Sequence, residues 1–351
     1  MIKAILNPTP NLKRAKWCHS TRRIPQGDGV GLEAYPTEIK PGDLLLAEVI
    51  SIRQHRRVQL RDGRYSPLFL DDLVVLAAGD RYATDQFIGQ VGVREDRTLD
   101  LLAGGGVAGL EQARHGAIKP ATKLTLHGLL LDADGVVLNL MNSALAEAPS
   151  LRPQPVFTVL GTGMNAGKTD AVAGLVNGLT RLGMRVGAIK ATGTAAFGDT
   201  HLYEAAGAET VLDFTDCGMA STYRQPIERI EAAITRLVSE TAQKGCEATV
   251  IEIADGLAQV ETEKLLARPA LKQLTDGWLI AVTDALTAEA ALARLASLGI
   301  EPLALTGLIT RSPVAADLNF EQMPILDRSD LADPVMASAL FEMLRREIGA
   351  Q

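Results

Sequence analysis

The sequence predicts an α/β protein with a doubly wound, mostly parallel sheet over residues 156–351, preceded by a smaller β-rich domain over residues 1–150. From residue 156 onward, strand-like apolar runs alternate with helical stretches, which is typical of a parallel sheet. Before residue 150, short strand-like runs are broken by Gly and Asp, which is typical of a small barrel or sandwich. Between the two parts, Ala144 to Pro155 is rich in proline and predicts a linker.

Composition places the chain among ordinary globular proteins. It has 351 residues, of which 47% are apolar and 22% charged, enough for two hydrophobic cores. The net charge of −7 is uneven, since residues 1–150 hold 18 basic and 17 acidic residues and the remainder therefore carries −8. An acidic second part, together with an aromatic content of only 4%, argues against a nucleic-acid partner.

Cysteine usage and hydropathy predict a cytoplasmic protein. Cys18, Cys217 and Cys246 are odd in number and widely spaced, which favours a reducing compartment and argues against a disulfide framework or a zinc site. The opening residues do not resemble a signal peptide, and no apolar run reaches the ~18 residues of a membrane span. We therefore expect no membrane partner.

Short strands dominate the predicted elements of residues 1–150. They are Ile2–Leu6, Leu44–Ile52, Arg57–Leu60, Leu68–Leu70, Leu73–Leu76, Val91–Val93, Leu99–Leu102, Lys123–Leu131 and Val136–Leu140. A helix is predicted over Ala108–His115, and the glycines at 104–106 before it could form an anion-binding turn. Six basic residues crowd between two strands and either contact an anion or form a solvated hairpin, the commoner arrangement. They are Arg53, His55, Arg56, Arg57, Arg61 and Arg64.

The most informative stretch is a glycine-rich turn between a predicted strand and a predicted helix. It reads Gly161-Thr162-Gly163-Met164-Asn165-Ala166-Gly167-Lys168-Thr169. In a phosphate-binding loop (P-loop), backbone N–H groups and the positive end of the following helix face the phosphates. Lys168 would reach the β- and γ-phosphates as a catalytic cation, and the Thr169 hydroxyl would bind Mg²⁺.

One residue departs from the general pattern G-x-x-x-x-G-K-[ST]. Thr162 stands where the first glycine belongs, and the glycine comes one place earlier, at Gly161. We expect six loop residues to surround the phosphates: Gly161, Thr162, Gly163, Asn165, Ala166 and Gly167. The alternative is a glycine-rich turn that binds nothing.

Residues 156–351 predict six strands and five helices. The strands are Val156–Leu160, Arg185–Lys190, Thr249–Ile253, Gly277–Thr283, Leu303–Ile309 and Met323–Leu326. The helices are Lys168–Leu182, Thr200–Ala206, Glu228–Lys244, Ala288–Leu298 and Asp333–Ile348. Ligands of such sheets bind at the carboxyl ends of the strands, where polar residues recur in this chain. We expect the strand ending in Lys190 to lie beside the phosphate-loop strand, which would point Lys190 at the same crevice as Lys168.

On these residues, the second part resembles the dethiobiotin synthetase group of P-loop proteins and the NTPases of molybdopterin-guanine dinucleotide biosynthesis. The shared marks are the phosphate loop, Gly183 to Lys190, Asp199 to Ala208, a strand ending in Glu252, and Leu305 to Arg311. The resemblance covers about residues 156–330 and does not extend to residues 1–150.

The resemblance implies a set of functional residues. Thr169, Asp199 and Glu252 would surround Mg²⁺, and Lys190 would face the reacting groups as a second catalytic cation. The loop at Thr310-Arg311 would border the purine base, and a homodimer is implied. From the residues alone, Asp255 competes with Glu252 for the metal, because one hydroxyl with one or two carboxylates is the usual protein contribution to Mg²⁺.

Together these observations predict an enzyme that uses ATP and Mg²⁺ to phosphorylate a small molecule or to ligate it through an activated phosphate intermediate. One alternative is a regulatory or assembly NTPase that uses residues 1–150 to grip a protein partner. Another is an N-acyltransferase that uses the P-loop to bind the phosphates of coenzyme A. The sequence names no substrate.

Overall fold

The computed structural model describes residues 5–6, 12–29, 31–146, 154–312 and 323–348. The chain forms two compact units. The first unit consists of Met1–Ala146, Thr194–Phe197 and Phe214–Arg224, and the second of Glu147–Gly193, Gly198–Asp213 and Gln225–Gln351. Two short segments that lie after residue 156 in the sequence thus belong to the first unit. That residues 1–150 bind a substrate or a partner stays a prediction.

The first unit is built from strands. They are β1 (Ile5–Leu6), β2 (Lys16–Trp17), β3 (Gly31–Glu33), β4 (Leu44–Ser51), β5 (Arg57–Gln59), β6 (Tyr65–Pro67), β7 (Leu73–Ala78), β8 (Arg81–Tyr82), β9 (Phe87–Gln90), β10 (Thr98–Ala103), β11 (Val107–Arg114) and β12 (Thr122–Leu131). Short 3₁₀ helices cover His19–Thr21, Leu140–Ser143 and Phe214–Cys217. The strands β5 and β6 form a separate hairpin, and the other ten share one sheet.

Five of these strands pair in a closed circuit. The strand β12 pairs with β4 and β10, β4 pairs with β7, β7 with β11, and β11 with β10. All of these pairs are antiparallel except β7 with β11. Leu76, Leu99 and Leu124 are fully buried in one hydrophobic cluster formed by these strands. A closed circuit leaves few unpaired edges, which lowers the tendency of strands to pair with other chains.

Several predictions for the first unit are wrong. The helix expected over Ala108–His115 is a strand, because Val107–Arg114 pairs with β10 across the tight turn of residues 104–106, and this tertiary pairing overrides local preference. Gly106 has a φ of 95°, which favours glycine. The strands expected at Leu68–Leu70, Val91–Val93 and Val136–Leu140 are absent from these described positions, apart from two isolated bridges, Leu131 with Val137 and Asp43 with Asn139. The strand expected at Ile2–Leu6 lies mostly outside the described residues.

The second unit alternates strands and helices. Its strands are β13 (Val156–Gly161), β14 (Val186–Lys190), β15 (Thr210–Asp213), β16 (Ala248–Glu252), β17 (Gly277–Ala281) and β18 (Pro302–Thr306). Its helices are α1 (Lys168–Arg181), α2 (Gly198–Ala205), α3 (Ile227–Gln243), α4 (Val260–Ala267), α5 (Pro269–Leu274), α6 (Ala285–Ser297), α7 (Arg328–Ala332) and α8 (Pro334–Ile348). The chain is therefore a mixed α/β protein with large sheets, as the sequence predicts.

The six strands of the second unit form one parallel sheet in the order β15-β14-β16-β13-β17-β18. Every residue of β13, β14, β16 and β17 is buried. A parallel sheet buried at each position is covered on both faces, which explains why these strands read as continuous apolar runs in the sequence. The helix α1 packs with α7 and α8 and with the central strands in one core.

The strand order corrects one expectation about the site. The strand β14, which ends in Lys190, does not lie beside β13, because β16 lies between them. The edge strand β15 and the helices α4, α5 and α7 were not predicted. Met323–Leu326 is not a strand and makes only a bridge between Ile325 and Leu305, while Leu308–Arg311 is a 3₁₀ helix instead of the end of a strand.

Candidate functional site

The phosphate loop has the backbone that its sequence predicts. It joins β13 to α1, and its last residue, Gly167, has a φ of 104° directly before the first helical residue. A Cβ at Gly161 would lie 2.8 Å from the aliphatic part of the Lys168 side chain. A side chain at Gly161 would therefore collide with the lysine that folds over the loop, which favours glycine at this position.

The Lys168 side chain is buried and points back over the loop. Its Nζ donates hydrogen bonds to the carbonyl oxygens of Gly163 at 2.7 Å and Asp255 at 2.6 Å. Burial lowers the pKa of Lys168, against the opposing charge of Glu252. The ammonium group is thus held at the mouth of the loop by backbone acceptors, which a phosphate oxygen can replace.

Three strands bring the other charged groups to the same level of the sheet. In the strand register, Lys190 of β14 lies opposite Glu252 of β16, and Glu252 lies opposite Val159 of β13. The Lys190 Nζ forms an ion pair with Asp199 at the start of α2 and lies 3.6 Å from a Glu252 carboxylate oxygen. Lys190 therefore reaches the site from two strands away.

Glu252 is the most deeply buried carboxylate of the site, at 2% exposure. Burial by itself raises the pKa of Glu252, but the charges of Lys190 and Lys168 and hydrogen bonds from Tyr203 and Thr169 outweigh it, so that the pKa lies below its usual range. The fully buried Tyr203 hydroxyl donates to the second carboxylate oxygen. Burial and the neighbouring Glu252 charge raise the pKa of Tyr203 well above its usual value.

The residues proposed for Mg²⁺ meet at one place. The Thr169 hydroxyl donates to an Asp199 carboxylate oxygen at 3.2 Å, and Lys190 contacts both Asp199 and Glu252. The described ranges contain no cluster of three or more His, Cys, Asp or Glu side chains that could hold a metal. One hydroxyl and two carboxylates nevertheless form the all-oxygen donor set that suits Mg²⁺ bound together with phosphate oxygens. The residues present therefore fit this ion.

Asp255 takes a different position from Glu252. It lies in the turn after β16, is half-buried, and has a φ of 64°. Its carbonyl oxygen accepts the Lys168 hydrogen bond, whereas Glu252 shares Lys190 with Asp199. Burial raises the pKa of Asp255 to about 6, although the charges of Lys168 and Lys190 lower it. The geometry thus groups Glu252, and not Asp255, with the candidate metal ligands.

A cavity of about 400 Å³ opens beside the phosphate loop. Thr310 and Arg311 line it, as does Gly167 at the end of the loop. The other lining residues are Asp170, Ala171, Thr306, Gly307, Leu308, Asp327, Arg328 and Ser329. A cavity of this size is typical of small-ligand sites, and its place next to the loop matches the expected position of a nucleoside.

Two polar residues of the site were missed in the sequence. Tyr203 follows Asp199 by four residues, so both lie on one face of α2, and this spacing was the available signal. Thr192, after β14, accepts a hydrogen bond from the Ala254 N–H at 2.8 Å and so fixes the turn that carries Asp255. No sequence pattern marks Thr192.

The basic residues of the β5–β6 region do not converge on one point. Arg64 pairs with Asp62, and the Arg57 guanidinium lies 3.9 Å from the centre of the Tyr65 ring. His55 contacts the Leu102 carbonyl oxygen at 3.1 Å. These contacts are those of a partly solvated hairpin.

Within the described part of the chain, no helix has the length and apolar character needed to cross a membrane.

No family model matches the sequence, and no curated protein matches it. Among solved structures, the chain is similar to the signal recognition particle receptor FtsY from Elizabethkingia anophelis in complex with GDP, with 16% identity, a TM-score of 0.38, and coverage of 56% of this chain and 66% of that chain. It is also similar to the cell division protein FtsY from Thermotoga maritima, with 18% identity, a TM-score of 0.36, and coverage of 58% of this chain and 74% of that chain.

A third similar structure is the signal recognition particle 54 kDa protein from Aeropyrum pernix K1 in complex with GDP, with 18% identity, a TM-score of 0.36, and coverage of 60% of this chain and 53% of that chain. The chain covers just under two thirds of the first FtsY structure. With identities and TM-scores this low, the likenesses carry no conclusion about activity, choice of nucleotide or partners.

The chain's own geometry identifies the second unit as a P-loop nucleotide-binding fold. A parallel sheet, a glycine turn after a central strand and a Lys-Thr pair at the start of the next helix occur together. The likeness to dethiobiotin synthetase and the molybdopterin-related NTPases stays a prediction, as do the homodimer, the cytoplasmic location and the preference for ATP.

Proposed function

We propose that this chain is a Mg²⁺-dependent nucleoside triphosphatase whose turnover in the second unit is coupled to the first unit. The observation that carries the proposal is the convergence of Lys168, Thr169, Lys190, Asp199 and Glu252 at the carboxyl ends of neighbouring strands. Each of these side chains suits one need of phosphoryl transfer, which depends mainly on positioning and on neutralising charge.

Lys168 would exchange its two backbone acceptors for β- and γ-phosphate oxygens. Thr169, Asp199 and Glu252 would hold Mg²⁺, which would neutralise the charge developing on the phosphates. Lys190 is fixed by both carboxylates, so its ammonium lies at the edge of the same site. A buried, prealigned cation stabilises transition-state charge better than a mobile one, because no reorganisation is needed during the reaction.

Coupling to the first unit is supported by the path of the chain around α2. Two residues before Asp199, Phe197 belongs to the first unit, where its N–H donates to the Gln59 side chain at 2.7 Å. Its ring packs edge-on against His19 and Tyr65. A shift of Asp199 on binding a metal–nucleotide complex would therefore pull on a segment that is anchored in the first unit.

The chain is also anchored in the first unit directly after residues 198–213. After Asp213 the chain enters the first unit at residues 214–224, where the buried Asp216 pairs with Arg22 at 2.7 Å and Arg23 at 3.3 Å. A segment that is anchored at both ends can pass a nucleotide-dependent shift on to the part of the chain that anchors it. This arrangement favours a regulatory or assembly NTPase that presents its first unit to a protein partner.

A second candidate is ATP-dependent phosphorylation or ligation of a small molecule. Lys190 favours it, because a lysine beside the γ-phosphate position can also hold the carboxylate of an acceptor. The cavity at Thr310 and Arg311 would then take the nucleoside and leave the Lys190 side free for the acceptor. Binding of coenzyme A by the same loop is the third alternative that the sequence leaves open.

A turnover assay on the purified full chain distinguishes these functions. Nucleoside diphosphate release from MgATP or MgGTP without any further substrate is expected, at a rate that a partner of the first unit would change. Release that depends strictly on an added small molecule would support the second candidate. Consumption of acetyl-coenzyme A without nucleotide hydrolysis would contradict the proposal.

A further inference from the structure

The turn after β16 holds a non-glycine residue in a left-handed backbone conformation. Asp255 has a φ of 64°, in the left-handed region that glycine adopts easily and other residues adopt at a cost. A non-glycine residue in this region persists only where its surroundings determine it, often at functional sites. A glycine at this position would remove that cost, so the aspartate side chain calls for an explanation.

The turn is seated directly on the phosphate loop. The Asp255 carbonyl oxygen accepts from Lys168, and the Leu257 N–H donates to the Gly161 carbonyl oxygen at 3.0 Å. Between them, a Cβ at Gly256 would lie 2.5 Å from the Thr162 carbonyl oxygen. Contacts of residues 255–257 therefore hold the backbone of this turn against the loop.

The Asp255 carboxylate lies within the field of both site cations. The charges of Lys168 on α1 and Lys190 on β14 both act on it, as do the carboxylates of Glu252 on β16 and Glu261 on α4. Among the hydrogen bonds and ion pairs described for the site, Asp255 is not grouped with Thr169, Asp199 or Glu252. Asp255 is half-buried, and its carbonyl oxygen lies 2.6 Å from the Lys168 ammonium that is expected to reach the γ-phosphate.

We propose that the Asp255 carboxylate orients the attacking acceptor, water in the hydrolytic reaction, and takes its proton as the acceptor oxygen bonds to the γ-phosphorus. The bond between the γ-phosphorus and the β–γ bridging oxygen breaks, and its electron pair leaves with the nucleoside diphosphate. The proton passes from Asp255 to solvent or to the released phosphate. This inference rests on the proposed function, because it assigns the base of the same reaction.

The pKa of about 6 suits this task, since a carboxylate that is ionised at neutral pH but more basic than usual is a better proton acceptor. Burial is its main cause, and the nearby lysines oppose it. As the pH falls through this value the carboxylate becomes protonated and loses its ability to accept. The turnover number should therefore decline on the acidic side.

The left-handed backbone supplies two well-matched variants. Asp255→Asn keeps the shape and tolerates a positive φ, and Asp255→Gly removes the side chain and fits the backbone without strain. Asp71 has a φ of 67° and is exposed in the first unit, so Asp71→Asn serves as the control for exchanging a left-handed aspartate. Thermal unfolding of each variant checks that the fold is kept.

The experiment measures nucleotide turnover and nucleotide affinity on the full chain with MgATP and MgGTP. Both Asp255 variants should lose about 100-fold or more in kcat, a typical contribution of a general base, with nucleotide Kd nearly unchanged. The acidic limb of the wild-type kcat profile should vanish in Asp255→Asn. Asp71→Asn should behave as wild type.

Other outcomes overturn the inference. A kcat close to wild type in either Asp255 variant would mean that the carboxylate takes no part in the reaction. A loss confined to nucleotide affinity would make Asp255 a binding residue. In both cases, active wild-type protein would leave the proposed function standing, whereas wild-type protein without any nucleotide turnover would overturn the proposed function and this inference together.

Discussion

Replacing Lys190 by methionine removes the ammonium that lies between Asp199 and Glu252. The side chains of Lys190 and Glu252 are 10% and 3% exposed, so solvent screens their interaction little. Removing one partner of a buried ion pair costs about 3–5 kcal/mol, because the remaining charge stays buried without compensation. We expect the lower end, about 3 kcal/mol, since Tyr203, Thr169 and Lys168 still stabilise the Glu252 carboxylate.

A double-mutant cycle isolates this interaction. The double variant Lys190→Met/Glu252→Gln should be more stable than the sum of the single losses predicts, with a coupling of about 1–3 kcal/mol. Urea unfolding in a Trp17→Phe background measures it, because Trp278 of β17 then reports on the second unit alone. Lys244→Met is the control, as its ion pair with Glu240 lies on the helix surface and should be worth less than about 0.5 kcal/mol.

The stability lost in Lys190→Met should depend on pH with a definite sign. In wild type the pKa of Glu252 is lowered, so its contribution to stability is present above the unfolded-state pKa and is lost as the pH falls through the folded-state value. In Lys190→Met burial dominates and raises this pKa, so protonation relieves the buried charge, and the deficit relative to wild type should shrink at acidic pH. A loss below about 1 kcal/mol that adds to the Glu252→Gln effect would refute the buried ion pair.

Two further predictions concern the loops around the phosphate site. Gly307→Ala should destabilise the second unit by more than about 2 kcal/mol, because the φ of Gly307 is 91° and the new Cβ would lie 2.1 Å from the Ala166 carbonyl oxygen. Urea unfolding should show this loss. The control Gly198→Ala should not show it, because no atom lies within 4 Å of the new Cβ there. Competition binding should show that ATP binds at least as tightly as GTP, because the loop Thr310-Arg311-Ser312-Pro313 lacks the Asn-Lys-x-Asp signature for guanine; a clear preference for GTP would contradict this prediction.

The hydrophobic pattern of short sequence stretches predicted the strands and helices of the second unit better than those of the first. Strands such as Val156–Gly161 and Val186–Lys190 are buried on both faces and therefore appear as continuous apolar runs with sharp ends. In the first unit, a helix was predicted over Ala108–His115. What makes Val107–Arg114 a strand is its pairing with β7, β9 and β10, which no short window of sequence contains.

The site was predictable where residues are close in sequence and less so where the fold brings them together. The loop from Gly161 to Thr169 is one stretch, so its motif was sufficient. Lys190 and Glu252 were found at strand ends, but their pairing depends on β16 lying beside β14, and the sequence order suggested a different neighbour. The membership of residues 194–197 in the first unit could not be predicted, because it depends on tertiary contacts such as Phe197 with Gln59.

The claim that this chain acts on a nucleoside triphosphate depends most directly on Lys168. The test compares MgATP and MgGTP turnover in wild type and Lys168→Ala, with the exposed Lys264→Ala as the control and thermal unfolding as the check on the fold. We predict that Lys168→Ala loses at least about 100-fold in turnover, because a preorganised charge at the phosphates is lost, while Lys264→Ala stays active. Near-normal turnover and unchanged nucleotide affinity in Lys168→Ala would contradict it, and the loop would then be a glycine-rich turn that binds no phosphate.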